Sequence, residues 1–321
     1  MSIVAISNEI GNKIANRQAI SENLLNLAKE NKDILVLTSD SRGSASMVQF
    51  GKELPDQIIE VGIAEQNIVG IASGLAHSGK KPFVASPACF LSMRSIEQIK
   101  VDVAYSQMNV KLIGISGGVS YGALGMSHHS LQDVAVTRAI PGLDVMMPAD
   151  RHEAKKMIEA LVDYDRPVYV RIGRNPVEDV YADCNYDFQI GKSIELKSGK
   201  DIAIIAVGET VRVALASANE LEKKGVHCRV INMHTIKPLD TEAIVKAAKE
   251  TQRIITVEEH SIHGGLGAAV SEVVVQECPV PMEIVGIPDE PAVTGNTAQV
   301  FDYYGINIEN IVKLSEGLMS K

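Results

Sequence analysis

The stretch Glu60–Ala76, EVGIAEQNIVGIASGLA, joins the end of an apolar strand to the start of a helix. The strand runs into Gly62, and the helix begins around Glu65 and carries small residues that allow close packing against its neighbours. Glu65 is therefore expected in the first helical turn, at the carboxyl edge of a sheet, where open α/β sheets bind ligands. Taken alone, an acidic residue in a first turn is more commonly a surface group that stabilises the helix dipole. The neighbouring motifs decide between these two interpretations.

Short aliphatic runs alternate with helical patterns around this segment, which is typical of a parallel α/β sheet. In the first part of the chain we predict strands at Ile34–Ser39, Ile58–Val61, Pro82–Ser86, Lys111–Ile115, Asp144–Met147 and Val168–Ile172. The predicted helices between them are Ser21–Asn31, Glu65–His77, Met93–Tyr105 and Arg151–Asp163. Ser21 is the expected N-cap of the first of these helices, because a serine hydroxyl can accept a hydrogen bond from a first-turn amide.

A polar, turn-rich stretch follows Arg174 and separates this unit from a second one. The strands predicted beyond it are Ile202–Val207, Cys228–Asn232, Arg253–Val257 and Glu283–Val285, and the helices are Val211–Lys224 and Gly265–Gln276. The sequence therefore predicts an α/β protein, with a parallel-sheet domain over residues 1–190 and a smaller α/β domain over residues 191–321.

Composition and charge exclude several classes of function. The 321 residues are 45% hydrophobic and carry a net charge of −9, so neither a nucleic-acid partner nor an anionic membrane surface is expected. No run approaches the roughly 20 apolar residues of a membrane helix, and the N-terminal residues do not resemble a signal peptide. Cys89, Cys184, Cys228 and Cys278 are widely spaced, which favours reduced core cysteines in a cytoplasmic protein over a zinc site or a disulfide framework.

Three further motifs follow in order: PFVASPACF at residues 82–90, SYGALGMSHHSLQD at residues 120–133 and VYVRIGR at residues 168–174. Together with the Glu65 segment, this succession resembles the C-terminal region of transketolases. It is more loosely similar to 1-deoxyxylulose-5-phosphate synthases and to the beta subunits of 2-oxo-acid dehydrogenases. All of these enzymes use thiamine diphosphate. The resemblance covers nearly the whole chain and implies a pyrimidine-binding domain followed by a transketolase C-terminal domain.

The resemblance implies a set of cofactor contacts. Glu65 matches the glutamate that hydrogen-bonds a ring nitrogen of the aminopyrimidine and thereby makes the cofactor's amino nitrogen a base. Phe90 matches an aromatic residue that stacks on the pyrimidine. Met93 and Ile96 stand at further aromatic positions of the pocket, and Asp40 matches a carboxylate near the thiazolium ring. Burial in an apolar cleft is expected to raise the pKa of Glu65.

His128 matches an active-site histidine beside the reacting carbonyl. An imidazole can donate a proton to a developing alkoxide and accept it back in the reverse step. Its neighbour His129 is expected to point the other way in an extended segment, so the pair does not suggest a metal site.

Three residues resemble the sugar-phosphate clamp of the family: Arg17, Ser44 and Arg174. Guanidinium groups bind phosphate oxygens in a bidentate manner, and a serine hydroxyl adds a neutral donor. Arg171, three residues before Arg174 in a predicted strand, is expected on the opposite face and is the weaker candidate. With His128, these residues form the predicted substrate site.

Two departures from transketolases affect the expected substrate. Ser116 and Leu124 stand where transketolases have a histidine near the phosphate and an aspartate that contacts a donor hydroxyl. A modified ketose, for example one carrying a sulfonate, therefore fits at least as well as a common pentose phosphate. The donor sugar, the acceptor and the pathway do not follow from the sequence.

The family's GDG…N motif, which holds the diphosphate metal, does not occur in this chain. The resemblance therefore implies an N-terminal partner subunit that binds Mg2+ or Ca2+, an α2β2 assembly, and no metal site of the chain's own. The expected activity is the transfer of a two-carbon ketol unit from a ketose to an aldose.

Three alternatives remain at this point. A 2-oxo-acid dehydrogenase beta subunit is disfavoured, because a short oxo acid needs no distant anion clamp. A catalytically inactive scaffold subunit is disfavoured by the presence of Glu65, Phe90 and His128. A dinucleotide site at VEEHSIHGGLG, residues 257–267, lacks the GxGxxG spacing, and His260 and His263 are expected to be packing or loop residues.

Overall fold

The computed structural model describes residues 4–7 and 13–320. Its strands are β1 Lys13–Ala15, β2 Ile34–Thr38, β3 Ile58–Glu60, β4 Lys81–Pro87, β5 Lys111–Ile115, β6 Asp144–Met146, β7 Val168–Arg171, β8 Pro176–Glu178, β9 Ile194–Lys197, β10 Ile202–Ala206, β11 Cys228–Asn232, β12 Thr235–Lys237, β13 Ile254–Ser261 and β14 Met282–Ile287. Its α-helices are α1 Asn16–Glu30, α2 Val48–Glu53, α3 Glu65–His77, α4 Ala88–Arg94, α5 Ile96–Gln98, α6 Asp133–Arg138, α7 Arg151–Val162, α8 Val211–Lys223, α9 Thr241–Thr251, α10 Leu266–Glu277, α11 Thr297–Tyr303 and α12 Ile308–Met319. Short 3₁₀ turns occupy Pro55–Gln57, Gly122–Ser127 and Gly208–Thr210, and a π-helix occupies Ile99–Tyr105.

The first sheet has seven strands in the order β12-β6-β7-β5-β4-β2-β3. All of its pairings are parallel except that of β12 with β6. The central strands β2, β5 and β7 are buried along their whole length, as expected for aliphatic runs covered by helices on both faces. This confirms the predicted parallel α/β class.

The second sheet has five strands in the order β14-β13-β10-β11-β9, with β9 antiparallel at one edge. A two-stranded ribbon pairs β1 with β8. Strand β12 comes from the C-terminal part of the chain but completes the edge of the first sheet. The two units therefore share a strand pairing, and the boundary between residues 190 and 191 stays a prediction.

The first long helix begins earlier than predicted. It starts at Asn16, its N-cap is Ala15, and that cap makes no side-chain hydrogen bond. The prediction that Ser21 caps the helix was wrong, because Ser21 lies inside it and its hydroxyl donates to the carbonyl oxygen of Ser46 at 2.7 Å. The early start places Arg17 in the first turn of α1.

The helix predicted over Met93–Tyr105 is divided into three pieces. Helix α4 already begins at Ala88, a break follows Arg94, and the remainder passes through α5 into the π-helix. Such wide turns are common at functional sites. The early start brings Phe90 and Arg94 onto a single helix directly after β4.

The remaining sequence predictions concern cysteines and membranes. All four cysteines are free; Cys89 and Cys228 are buried, whereas Cys184 and Cys278 are only half-buried and so are not core residues. Within residues 4–7 and 13–320, no helix combines the length and apolar character needed to cross a bilayer.

Gly114 of β5 allows Tyr169 of β7 to lie across the sheet, and a Cβ at that position would overlap the tyrosine ring. Tyr169 is fully buried and donates its hydroxyl proton to Asp133 at 2.7 Å. We expect Gly114→Ala to lower the free energy of unfolding by about 1–3 kcal/mol, because the ring must move from a packed position. Urea denaturation of the chain measures this change.

Gly317→Ala provides the matched control. Gly317 lies in α12 with open space around its Cα, so an added methyl group should stabilise the helix by about 0.5–1 kcal/mol. Equal effects of the two substitutions would contradict the proposed packing of Tyr169.

Candidate active site

The predicted site residues follow the carboxyl ends of five parallel strands. Asp40 follows β2, Glu65 follows β3, Phe90 follows β4, His128 follows β5 and Arg174 follows β7. Since these strands are neighbours in one parallel sheet, their ends lie along a single edge.

Glu65 is the first residue of α3 and is only 4% exposed. It lies at the base of a groove of about 680 Å³ lined by Ile63, Ala64, Glu65, Gln66, Asn67 and Arg94. Its Oε2 atom lies 3.1 Å from Nη1 of Arg94, a half-exposed residue. The structure therefore presents a buried carboxyl group whose partner faces solvent.

Arg94 also covers the ring of Phe90. The guanidinium carbon lies 4.0 Å from the ring centroid, which is a cation–π distance. Sequence reasoning missed Arg94, although it stands only four residues after Phe90. Its position on the same helical face was a usable signal, because residues four apart are neighbours on a helix.

His128 also lies next to Phe90. The two ring centroids are 5.2 Å apart in an edge-on arrangement, and the ring of Tyr121 lies 5.4 Å from His128 in a similar geometry. The Nδ1 atom of His128 is 3.0 Å from the hydroxyl of Ser127. Tyr121, also missed from the sequence, thus fixes one side of the imidazole.

His129 diverges from His128, as predicted, but for a different reason. The preceding segment is a 3₁₀ turn rather than an extended strand. The His129 ring is buried, its Nε2 lies 3.3 Å from the carbonyl oxygen of Gly122, and burial lowers its pKa. His129 therefore packs in the interior while His128 stays at the sheet edge.

The structure brings Arg17, Ser44 and Arg174 together. Arg17 donates from Nε to the carbonyl oxygen of Arg174 at 2.9 Å and from Nη1 to the carbonyl oxygen of Ser44 at 2.7 Å. The guanidinium of Arg174 lies 5.3 Å from the ring centroid of Tyr121. Ser44 thus contributes a backbone acceptor that holds Arg17.

Two cations lie side by side here. Burial, followed by repulsion from Arg174, lowers the pKa of Arg17. Among the described residues, neither guanidinium forms a salt bridge with a carboxylate, and the buried Nη1 of Arg174 has no hydrogen-bond partner. Such a pair favours an anion as its missing partner.

Arg171, the weaker candidate, is buried and paired with carboxylates in the interior. It is 2% exposed and lies between the two sheets, 3.6 Å from Asp133 Oδ2 and 3.4 Å from Glu259 Oε2. Its charge is therefore compensated inside the protein and is not directed at a ligand.

The remaining predicted cofactor residues differ in placement. Asp40 is exposed, with a φ of 52°, and its backbone N–H donates to Glu60 Oε1 at 2.7 Å. Met93 is exposed beside Arg94, whereas Ile96 is half-buried and packs against the core under the sheet. Neither Met93 nor Ile96 is among the residues that line the groove at Glu65.

The contacts form one continuous row along the sheet edge. It runs from Glu65 through Arg94, Phe90, His128 and Tyr121 to Arg174 and Arg17. A carboxyl group stands at one end, an imidazole in the middle and two cations at the other end. This order suits a reaction in which an elongated anionic molecule reacts next to the imidazole.

Comparison with known proteins agrees with this arrangement. Residues 12–178 match the family model described as transketolase, pyrimidine binding domain, and residues 191–311 match the one described as transketolase, C-terminal domain. The chain is 53% identical to a subunit of the apulose-4-phosphate transketolase of Phocaeicola vulgatus, over 97% of this chain and 99% of that protein. It is 36% identical to the SqwH subunit of the 6-deoxy-6-sulfo-D-fructose transketolase of Clostridium sp., over 90% of each.

A solved structure described as a split gene transketolase, inactive beta4 tetramer, superposes with a TM-score of 0.89 at 34% identity, over 96% of this chain and 99% of that one. The chain belongs to the transketolase family. Within that family it corresponds, in length and in domain content, to the C-terminal subunit of a split transketolase. The predicted family and domain order are thereby confirmed, and thiamine diphosphate dependence follows from the family.

Arg94 occupies two groups that were predicted from the sequence to contact the cofactor, the Glu65 carboxyl and the Phe90 ring face. An ion pair with a half-exposed arginine contributes up to about 1 kcal/mol and a cation–π contact about 0.5–1 kcal/mol. In the assembled enzyme we expect Arg94→Met to bind thiamine diphosphate about 5- to 10-fold more tightly, as measured by isothermal titration calorimetry.

Lys80→Met is the control, because it removes an exposed ion pair with Asp33 at the opposite edge of the sheet. Weaker cofactor binding by the Arg94 variant would contradict this interpretation and would indicate that Arg94 holds the bound cofactor.

Proposed function

We propose that this chain is the cofactor-activating subunit of a cytoplasmic split transketolase that moves a two-carbon ketol unit from an anionic ketose to an aldose. Apulose 4-phosphate is the first candidate donor, and a sulfonated ketose is the second. The observation that carries the proposal is the row of contacts that links a buried carboxyl group, an imidazole and two uncompensated arginines along one sheet edge.

The groove at Glu65 fits an aminopyrimidine. A carboxyl group at the base of the groove can hydrogen-bond a ring nitrogen, and the face of Phe90 becomes available for stacking when Arg94 moves away. Bound thiamine diphosphate would supply the nucleophilic carbon that carries the two-carbon fragment. Glu65 would hold the proton shared with the ring nitrogen, and Phe90 would orient the ring.

His128 is the proposed proton donor and acceptor at the sugar hydroxyl. It lies between the cofactor end and the anion end of the row, and Phe90 and Tyr121 fix its ring from two sides. An imidazole held in this way can move a proton in both directions at neutral pH.

The anionic end of the ketose is assigned to Arg17 and Arg174. Their lack of carboxylate partners among the described residues supports a phosphate or sulfonate ligand.

Ser116 and Leu124 bear on the choice of sugar. Ser116 is buried, its hydroxyl has no partner among the described residues, and Leu124 is 53% exposed in the loop that leads to His128. Neither position carries the histidine or aspartate that transketolases have there to contact a common pentose phosphate. This is in keeping with the substrates named for the two relatives.

The relatives named as subunits support a second polypeptide, the N-terminal subunit, which would bind the diphosphate through Mg2+ or Ca2+. An α2β2 assembly places each cofactor between the two kinds of chain. A 2-oxo-acid dehydrogenase role is disfavoured by the paired arginines, and a scaffold role by the intact row from Glu65 to His128.

Co-expression with an N-terminal transketolase subunit, followed by assay with thiamine diphosphate and Mg2+, tests the proposal. Apulose 4-phosphate and 6-deoxy-6-sulfofructose are offered as donors with a panel of aldoses, and size-exclusion chromatography with light scattering gives the mass. Turnover by the lone chain, or a complex that binds no thiamine diphosphate, would overturn the proposal.

Glu65→Ala should reduce kcat/KM by about 10²- to 10⁴-fold, because it removes the group that activates the cofactor base. Steady-state assays of the purified complex measure the loss. Glu283→Ala, a change in the second sheet, is the control and should leave turnover near that of the unmodified enzyme. Unchanged turnover in the Glu65 variant would exclude this mechanism.

Arg174→Ala should act mainly on substrate binding. Hydrogen bonds to charged groups contribute about 1.5–3 kcal/mol, so KM for the anionic donor should rise about 10-fold or more while kcat changes little. The same measurement with the unphosphorylated ketose is the control. A loss of kcat with unchanged KM would contradict the assignment of Arg174 to the anionic end.

A further inference from the structure

The loops that carry the substrate-side residues rest against carboxyl groups of the other domain. Glu209 follows strand β10 of the five-stranded sheet, and Glu259 lies within strand β13 of the same sheet. Arg171 of β7 lies between the sheets, 3.4 Å from Glu259 Oε2, and Glu209 also interacts with its charge. The C-terminal domain therefore reaches the back of the active-site edge through two acidic side chains.

Glu209 contacts the residue that precedes each clamp arginine. Asn16, directly before Arg17, donates from Nδ2 to Glu209 Oε1 at 3.5 Å. The backbone N–H of Gly173, directly before Arg174, also interacts with this carboxyl group. A Cβ on Gly173 would overlap both carboxyl oxygens, so the carboxyl group lies directly against the backbone there.

Glu259 holds the other loop in the same way. Its Oε1 accepts a hydrogen bond from the backbone N–H of Val119 at 2.8 Å. A Cβ on Gly118 would overlap Glu259 and Arg171. Two residues beyond Val119 stands Tyr121, which lies under Arg174 and beside His128.

Loop segments beyond the ends of strands lose the hydrogen bonds of the sheet, so their N–H groups need other acceptors. Here the acceptors are carboxyl groups that interact with the charge of Arg171. Burial, followed by repulsion from Glu259, raises the pKa of Glu209 to about 8, and burial also raises the pKa of Glu259. The carboxyl groups of Glu209, Glu259 and Asp133 share the single cation of Arg171, so a proton held by Glu209 reduces the excess negative charge of the cluster.

We propose that Glu209 and Glu259 are positioning residues of the C-terminal domain. Glu259 fixes the loop through Val119 that leads to His128, and Glu209 sets the spacing of Arg17 and Arg174 for the anionic end of the sugar. The inference rests on the proposed function, because it assigns a structural cause to the affinity of that same site. The C-terminal domain then has a role in substrate binding without touching the substrate.

The test uses the reconstituted two-subunit enzyme with a phosphorylated ketose and its unphosphorylated counterpart. Glu209→Ala should raise KM for the phosphorylated ketose about 10-fold, leave kcat within about twofold, and leave KM for the neutral ketose unchanged. Glu209→Gln should restore most of the affinity, because its amide oxygen still interacts with the backbone N–H of Gly173. Glu222→Ala, an exposed glutamate of the same domain paired with Lys197, is the control and should change neither constant.

A double-mutant cycle supplies the second arm. Gly173→Ala should raise the same KM, and combining it with Glu209→Ala should add little, because the new methyl group fills the vacated space. Equal KM changes for both ketoses, no change in either, or strictly additive effects in the cycle would overturn the inference while leaving the proposed function in place. An unmodified complex without turnover would overturn the proposed function and this inference together.

Discussion

The buried guanidinium of Arg171 is the contact on which the rest of the structure depends. It belongs to the seven-stranded sheet, yet its partners are Asp133 at the start of α6 and Glu259 in the five-stranded sheet. Removing one member of such a buried pair costs about 3–5 kcal/mol, because the other charge is left uncompensated. The backbone at Gly117 and Gly118 packs directly on the same guanidinium. One cation therefore joins the two sheets and also fixes the start of the loop that ends at His128.

The topology of the parallel sheet explains why residues so far apart in sequence form one site. Glu65 and Arg174 are separated by more than 100 positions, but each follows a parallel strand, and all such strands end at one edge. Side chains that follow the strands are held at this edge by contacts with one another, as the packing of the His128 ring against Phe90 and Tyr121 illustrates. The order of groups along the edge follows the order of strands in the sheet.

The sequence predicted the central strands closely, because strands buried on both faces read as uninterrupted aliphatic runs; Lys111–Ile115 and Cys228–Asn232 were predicted to the residue. Short edge strands such as β1 and β12 carry no such run, so the sequence did not predict them. The start of α1 lacks a side-chain cap, so the sequence did not locate where this helix begins. The candidate site residues were predicted through resemblance to a family. Arg94, Tyr121 and Glu209 were missed because their contacts depend on the folded geometry, and Glu209 also belongs to another domain.

The groove at Glu65 is open on one side, and this affects the stability of the chain before it binds a partner subunit. Ile63 is 74% exposed and Met93 is 51% exposed beside the groove, a combination that favours coverage by a partner surface. A buried carboxyl group such as Glu65 is costly when it has no partner, so the unassembled chain needs a temporary one. Arg94 meets that need at small cost, because an ion pair with a half-exposed arginine contributes little and exchanges readily. The same weakness that limits the contribution of this contact to stability makes it suitable for the cofactor site proposed above, which would have to open.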